Sequence, residues 1–275
     1  MIIFLWFILV IEGDNLKILI TGARNGIGYE TGIKLAKFGH KVILSVHKEE
    51  QLPLLKEKVE KLNLSNISLI VLDITKEYDR KKIITLDIDC LINNASIGIG
   101  GSILDLSIDK IKENFEVNVF STIKLSQIYA GHLFLTKKKG KIIFISSLAS
   151  IIPIPFLGAY SATKAALTNL AIALKSELKL ITKDIQVKLI EPGIYYTGFN
   201  EVMLENKLDI NNSYFPNLED ITLKQKKLFK LISSNNLNSI TSKIVLSCLD
   251  DSNKFLYKAP FKQSIIAKLY MLIFK

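Results

Sequence analysis

Short apolar runs alternate along most of the chain with longer stretches of mixed apolar and charged residues. Lys17-Ile18-Leu19-Ile20, Lys41–Val46, Ile67–Leu72, Asp89–Asn93, Lys141–Ser146 and Ile185–Ile190 are compact and rich in Ile, Val and Leu. Runs of that kind suit strands buried on both faces. Between them, helix-period stretches are expected at about Gly26–Phe38, at Glu49–Leu62, twice within 107–137, and over Gly158–Leu180. Gly39 sits where a C-cap glycine belongs, and Lys137-Lys138-Lys139-Gly140 reads as a turn. Strands alternating with helices predict a parallel sheet covered by helices, class α/β. No linker or repeat interrupts the pattern, so one domain is expected over residues 16–275. Residues 194–236 are less regular and rich in Asn, Lys and aromatics, which suits a substrate lid.

The head behaves differently. Ile2 to Ile11 are wholly apolar and are followed by Glu12-Gly13-Asp14. The run is shorter than the ~20 residues of a spanning helix. It has neither a basic leader nor a small-residue cleavage site, so a signal peptide reads poorly. An interfacial anchor is one reading. The other is that residues 1–15 are an untranslated extension: in a bacterial gene Glu12-Gly13-Asp14 can encode a ribosome-binding motif and Leu16 an alternative start.

Composition narrows the field. The 275 residues are 49% hydrophobic and 23% charged, enough for a full core and too apolar for a disordered chain. Two cysteines, Cys90 and Cys248, make neither a disulfide framework nor a zinc site, so no metal is expected and the cytoplasm is the default compartment. The net charge of +10 first suggests nucleic acid or an anionic membrane. Only Arg24 and Arg80 are arginines, however, and base-edge recognition favours Arg over Lys. A Lys-, Ile- and Asn-rich chain reads as the product of an AT-rich genome; no nucleic-acid partner is expected.

Several segments carry candidate chemistry. Thr21-Gly22-Ala23-Arg24-Asn25-Gly26-Ile27-Gly28 lies between a strand and a helix, where glycines let backbone amides approach a pyrophosphate. A purely structural Gly-rich turn is an even competitor. Tyr160-Ser161-Ala162-Thr163-Lys164 puts Tyr160 and Lys164 on one helical face. A nearby ammonium favours a phenolate, bringing the tyrosine toward proton transfer near neutrality. An isolated pair of this kind is more often an ordinary exposed one. Ser147, at the end of the Lys141–Ser146 run, would face the crevice where ligands sit, or is simply a turn serine. Asn118 lies inside a helical stretch, which is odd for Asn unless its side chain or a local bend is used.

Taken in order, Thr-Gly-x-x-x-Gly-x-Gly, Asp73, Asn93-Asn94-Ala95, Asn118, Ser147, Tyr-x-x-x-Lys and Pro192-Gly193 resemble the short-chain dehydrogenase/reductase family over about residues 17 to 200. The resemblance implies a doubly wound Rossmann sheet in three α/β/α layers and an NAD(P)-dependent oxidoreductase. It implies that Tyr160 is the general acid/base, that Lys164 holds the nicotinamide ribose and depresses the tyrosine, that Ser147 orients the substrate carbonyl, and that Asn118 supports a proton relay through water. It places Asp73 and Ile74 at the adenine, Asn94 and Ala95 on the ribose side, and Pro192, Gly193, Ile194 and Thr197 against the nicotinamide carboxamide. Ser96 replaces the family's usual glycine after Asn-Asn-Ala, and the Lys254–Pro260 tail lacks the Gly-Gly ending of many tetrameric members. A tetramer is therefore not carried over, while a homodimer stays open.

The second apolar run ends Val46-His47-Lys48 without a carboxylate. With Arg24, His47 and Lys48 make a basic corner that favours NADP(H) over NAD(H). Ile151 to Leu157, with Tyr195, Tyr196, Phe199, Met203 and Tyr214, suggest walls for an apolar small-molecule carbonyl or alcohol, or equally a lid packed on the domain. Two rivals remain: a membrane-associated reductase of steroid, retinol or sphingoid type, motivated by the head and the apolar 264–275 tail, and a non-catalytic NADP(H) sensor. The tail reads equally as a buried closing helix or a dimer contact.

Overall fold

The computed structural model describes residues 15–205 and 213–274. The apolar head, residues 1–14, lies outside the described residues. Seven strands form one sheet: β1 (Lys17–Ile20), β2 (Lys41–Val46), β3 (Ile67–Val71), β4 (Cys90–Asn93), β5 (Gly140–Ile145), β6 (Ile185–Pro192) and β7 (Leu256–Ala259). Their order is β3-β2-β1-β4-β5-β6-β7 and every pairing is parallel. The expected doubly wound α/β sheet is the observed one.

The helices are α1 (Gly26–Lys37), α2 (Leu52–Glu60), α3 (Glu77–Lys81), α4 (Ile108–Phe115), α5 (Thr122–Thr136), α6 (Gly158–Ile181), α7 (Phe199–Glu205), α8 (Leu218–Ile232), α9 (Asn238–Leu249) and α10 (Phe261–Phe274). Successive strand residues feed opposite faces of the sheet. Ile18 and Ile20 of β1 and Ile143 and Ile145 of β5 pack with Leu35 of α1, Leu55 of α2, and Ile240 and Cys248 of α9. Leu19, Ile142 and Phe144 turn the other way, onto Leu125, Tyr129 and Leu133 of α5 and Leu167 and Ala171 of α6. Uninterrupted apolar strands are the sequence form of this two-sided burial, which is why they lack polar alternation.

Three regions depart from the expectation. Residues 194–236 hold two helices, α7 and α8, because Leu218, Thr222 and Phe229 recur at helical spacing and bury one face of α8. β7 and α9 were not foreseen, and β7 extends the sheet beside β6. The two helical stretches within 107–137 are joined by a wide π turn, Glu116–Ser121, that contains Asn118. The odd mid-helix Asn marks that turn, in keeping with the association of such bulges with functional sites.

Candidate active site

Because all strands are parallel, their carboxyl ends gather on one edge, with the crevice opening where the order reverses between β1 and β4. The Gly-rich turn follows β1, Asn94-Ala95 follows β4, Ser146-Ser147 follows β5, and Gly193 to Thr197 follow β6. A cleft of about 1280 Å3 runs along this edge.

At the end formed by the glycine turn, Gly22 and Gly26 both have φ of +62°, a left-handed conformation that favours glycine. A Cβ on Gly22 would stand 2.7 Å from the Ala95 backbone, so this position also needs the missing side chain for space. Thr21 Oγ1 accepts from the backbone N–H groups of Asn94 and Ala95, each at 3.0 Å. The Asn94 amide donates back to the carbonyls of Thr21 at 2.9 Å and Gly22 at 3.0 Å. Asn94 and Ala95 were expected on the ribose side; they line the cleft, and their hydrogen bonds shape the glycine turn. α1 starts without a side-chain cap and without an acidic residue in its first turn, so its leading amides keep their positive partial charge.

Next to this end, Arg24, His47 and Lys48 are exposed at the rim, with Asp73 beside them. Partial burial pulls His47 below its usual value and Lys48 and Arg24 add to this, against the opposing pull of Asp73. The basic corner near neutral pH is therefore Arg24 and Lys48, with His47 uncharged. Asp73 Oδ1 accepts from the Thr75 amide at 2.9 Å and the Thr75 hydroxyl at 2.7 Å, which fixes the turn after β3.

The other half of the cleft holds the candidate chemistry. Tyr160 and Lys164 share a face of α6, as their spacing predicts, and both are buried. Lys164 is 3% exposed, and its Nζ donates to the Ile145 carbonyl at 3.0 Å. Ser147 and Tyr160 are joined by a side-chain hydrogen bond, and Ser147 Oγ also accepts from the Ala149 amide at 3.1 Å. Burial lowers Lys164 to about 7. It also raises the Tyr160 phenol above its usual value, and the Ser147 bond works against that rise only in part. The expected depression of the tyrosine is thus not found here, since burial outweighs what neighbours supply.

Asn118 is buried behind the cleft rather than on its wall. Its Oδ1 accepts from Ser96 Oγ and the Ile97 amide, both at 2.9 Å. Its Nδ2 donates to the Ile97 carbonyl at 2.9 Å and to Thr163 Oγ1 at 3.1 Å, and Thr163 in turn donates to the Tyr160 carbonyl at 2.7 Å. The side chain is fully engaged with protein, tying the 96–97 loop to α6. Ser96, the departure from the family's glycine, is one of its partners.

Of the expected site residues, all but Gly28 and Asn118 line the cleft. Gly28 is buried, and a Cβ there would meet the Asn94 amide at 2.5 Å. The wall opposite the glycine turn is apolar: Ile152, Ile154, Pro155, Leu157, Phe199 and Met203 line it, while Tyr196 and Tyr214 are exposed. Missed were the walls from later in the chain, Leu228, Phe229, Ile232, Gln263 and Ile266. Gln263 Oε1 accepts from the Ile194 amide at 2.7 Å, and its Nε2 donates to the Ile232 carbonyl at 2.8 Å. No sequence signal singles it out; the helix period of α10 is the nearest one. Among the described residues no cluster suited to a metal ion occurs.

A family model described as short chain dehydrogenase matches residues 16–208. The chain is 30% identical over 263 residues to a probable short-chain type dehydrogenase/reductase, VdlC, of Helicobacter pylori, covering 93% of this chain and 92% of that one. It is 30% identical over 190 residues to a 3-ketodihydrosphingosine reductase of Bacteroides thetaiotaomicron, covering 67% and 65%. A solved short chain dehydrogenase/reductase from Burkholderia phymatum, in complex with NAD, shares the fold with a TM-score of 0.79 at 17% identity, over 93% of this chain and 92% of that one. With the cleft and its motifs in place, the chain belongs to the short-chain dehydrogenase/reductase family and is an oxidoreductase acting on CH–OH groups.

Proposed function

We propose that the protein interconverts an apolar carbonyl compound and its alcohol with NADP(H), Tyr160 handling the proton. The observation that carries this reading is the convergence of Ser147, Tyr160 and Lys164 on one wall of an apolar cleft that continues into the glycine turn. The phosphate end fits a dinucleotide: the leading amides of α1 are uncapped and Gly26 at positive φ leaves the backbone bare. In this reading the turn from Gly22 to Ile27 holds the pyrophosphate, with Gly28 packed beneath it against Asn94. Asp73 and Ile74 hold the adenine, and Asn94 with Ala95 the ribose side. Tyr160 and Lys164 hold the nicotinamide ribose, and Pro192, Gly193, Ile194 and Thr197 the carboxamide. When bound, the nicotinamide supplies or takes up the hydride.

The chain's own groups then divide the work. A phenol raised by burial stays protonated through neutrality, the state needed to give a proton to a carbonyl oxygen. Lys164, when charged, stabilises the phenolate left behind, and Ser147 donates to the carbonyl oxygen. Asn118 keeps the 96–97 loop and α6 in register through its bonds to Ile97 and Thr163. The described residues of α7 and α8 cover the substrate end as a lid.

Arg24 and Lys48 support NADPH over NADH: both are exposed at the rim, and neither makes an ion pair with a described residue. Initial rates of NADPH and NADH consumption with a panel of apolar aldehydes and ketones test the reading. Turnover with NADPH is expected; faster use of NADH would remove the cofactor assignment, and no turnover with any carbonyl would remove the reaction. The cytoplasm remains the proposed compartment. Among the described residues no helix is long and apolar enough to cross a membrane. A more lipid-like substrate is favoured by one observation, the apolar lip of the cleft described next, and agrees with a relative named for a sphingoid ketone.

A further inference from the structure

Beside the mouth of the cleft, α10 is turned the opposite way from an ordinary surface helix. Its inward side carries Gln263, Ser264 and Ala267. Its outward side carries Phe261, 78% exposed, with Ile265, Ile266, Leu269 (53%) and Leu272 (81%). Positions 261, 265, 269 and 272 fall along one helical stripe. The end of α8 continues this surface with Leu228, Leu231 (82%) and Ile232, and the two helices meet where Gln263 bonds the Ile232 carbonyl. Leu228, Ile232 and Ile266 also line the cleft, so the apolar surface runs without a break from the outside into the cavity. Single exposed apolar residues need no explanation, but a contiguous lip does.

Charge says what covers it. Lys227, Lys230, Lys262 and Lys268 stand exposed on the same two helices, and none pairs with a carboxylate among the described residues. Residues 261–274 contain no acidic residue. A second copy applied by two-fold symmetry would bring these lysines against their own equivalents, which opposes a self-contact. An apolar stripe edged by lysines instead suits a surface that is both greasy and negative.

We propose that the lip formed by α10 and the end of α8 docks on an anionic lipid bilayer, lying in its interface with the cleft mouth facing the membrane. An apolar carbonyl then reaches Tyr160 from the bilayer without passing through water. The delivery route rests on the reductase reading above; the docking does not.

The test is flotation of the full-length protein with vesicles of phosphatidylcholine alone and of phosphatidylcholine mixed with phosphatidylglycerol. Binding to the mixed vesicles at least about tenfold tighter than to the neutral ones, and weakened by salt, is expected. The double variant Leu231→Glu with Leu269→Glu, neither of which lines the cleft, should lose about tenfold in binding while its circular dichroism stays that of the parent. Should that variant fold poorly, Lys227→Glu with Lys268→Glu is the second arm, with the same loss expected on mixed vesicles. Absence of vesicle binding, or binding indifferent to both double variants, would overturn the proposal. So would sedimentation showing a dimer that the variants dissolve in a protein that ignores vesicles. Flotation is read without turnover, so failure of the reductase assignment and failure of docking are separate results.

Discussion

The ammonium nitrogen of Lys164 lies 5.7 Å from the centre of the Tyr160 ring while it donates to the Ile145 carbonyl at 3.0 Å. Burial acts on both groups in the same sense, toward the uncharged form, lowering Lys164 to about 7 and raising Tyr160.

A buried lysine at about 7 costs stability, and the sign can be followed with pH. Below about 7 folded and unfolded chains are both protonated, and the full cost of burying the charge is present. Between about 7 and its ordinary value near 10.5 the unfolded chain keeps a proton that the folded chain has released, so stability rises with pH. Lys164→Met should therefore stabilise the protein by about 1–3 kcal/mol near pH ~6, with the gain shrinking toward pH ~10, and should lose turnover. Urea unfolding across that range checks it. A variant less stable than the parent at pH ~6 would mean that the bond to Ile145 outweighs the burial cost.

Tyr160→Phe removes one hydroxyl and keeps the ring, which packs 5.7 Å from Phe199 between centroids. Turnover is expected to fall about 100- to 10,000-fold, the usual scale of a lost acid/base group, with NADPH affinity within about twofold. Cofactor fluorescence and initial rates separate the two effects. Activity near that of the parent would remove Tyr160 from its role.

Arg24→Ala and Lys48→Ala each take one charge from the corner beside His47. Each should raise the KM for NADPH about 5- to 30-fold, the scale of one charge-assisted contact, with little change for NADH. Equal losses with both cofactors would place these side chains elsewhere than at a phosphate. His47, held below its ordinary value, should add affinity for NADPH only as pH falls into the acid range.

Gln263→Leu keeps the bulk of the side chain but leaves the Ile194 amide without its acceptor and the Ile232 carbonyl without its donor. A loss of about 1–3 kcal/mol in unfolding free energy is expected. Because Ile194 belongs to the loop assigned to the carboxamide, the KM for cofactor should rise more than kcat falls. Gln263→Glu restores only the acceptor and should recover part of the cofactor KM. A purely structural role would lower stability and leave the ratio of the two kinetic effects unchanged.

What could be read from the residues has a physical pattern. In a parallel sheet the chemistry collects where strands end, so Gly22 to Gly28, Asn94, Ser147 and Pro192 announce themselves by following apolar runs. Asn118 was legible as an oddity, and its π turn explains why. α9 carries a helical period in Ile240, Ile244, Val245 and Cys248. Gln263 had no such signal, since its partners Ile194 and Ile232 are far away in sequence and only packing brings them together. For Tyr160 the neighbour on the helix is visible in the sequence, whereas the burial that raises its phenol is a property of the assembled fold.

The Asn94 amide, bonded to the carbonyls of Thr21 and Gly22, has a consequence for engineering. The shape of the glycine turn proposed to hold the pyrophosphate is set jointly by two loops from different parts of the chain. Transplanting a glycine turn from another protein to change cofactor choice would deliver only half of the cradle. A graft should carry residues 93–95 with it, and one that does not should assemble a soluble Rossmann sheet with a slack, weakly binding turn.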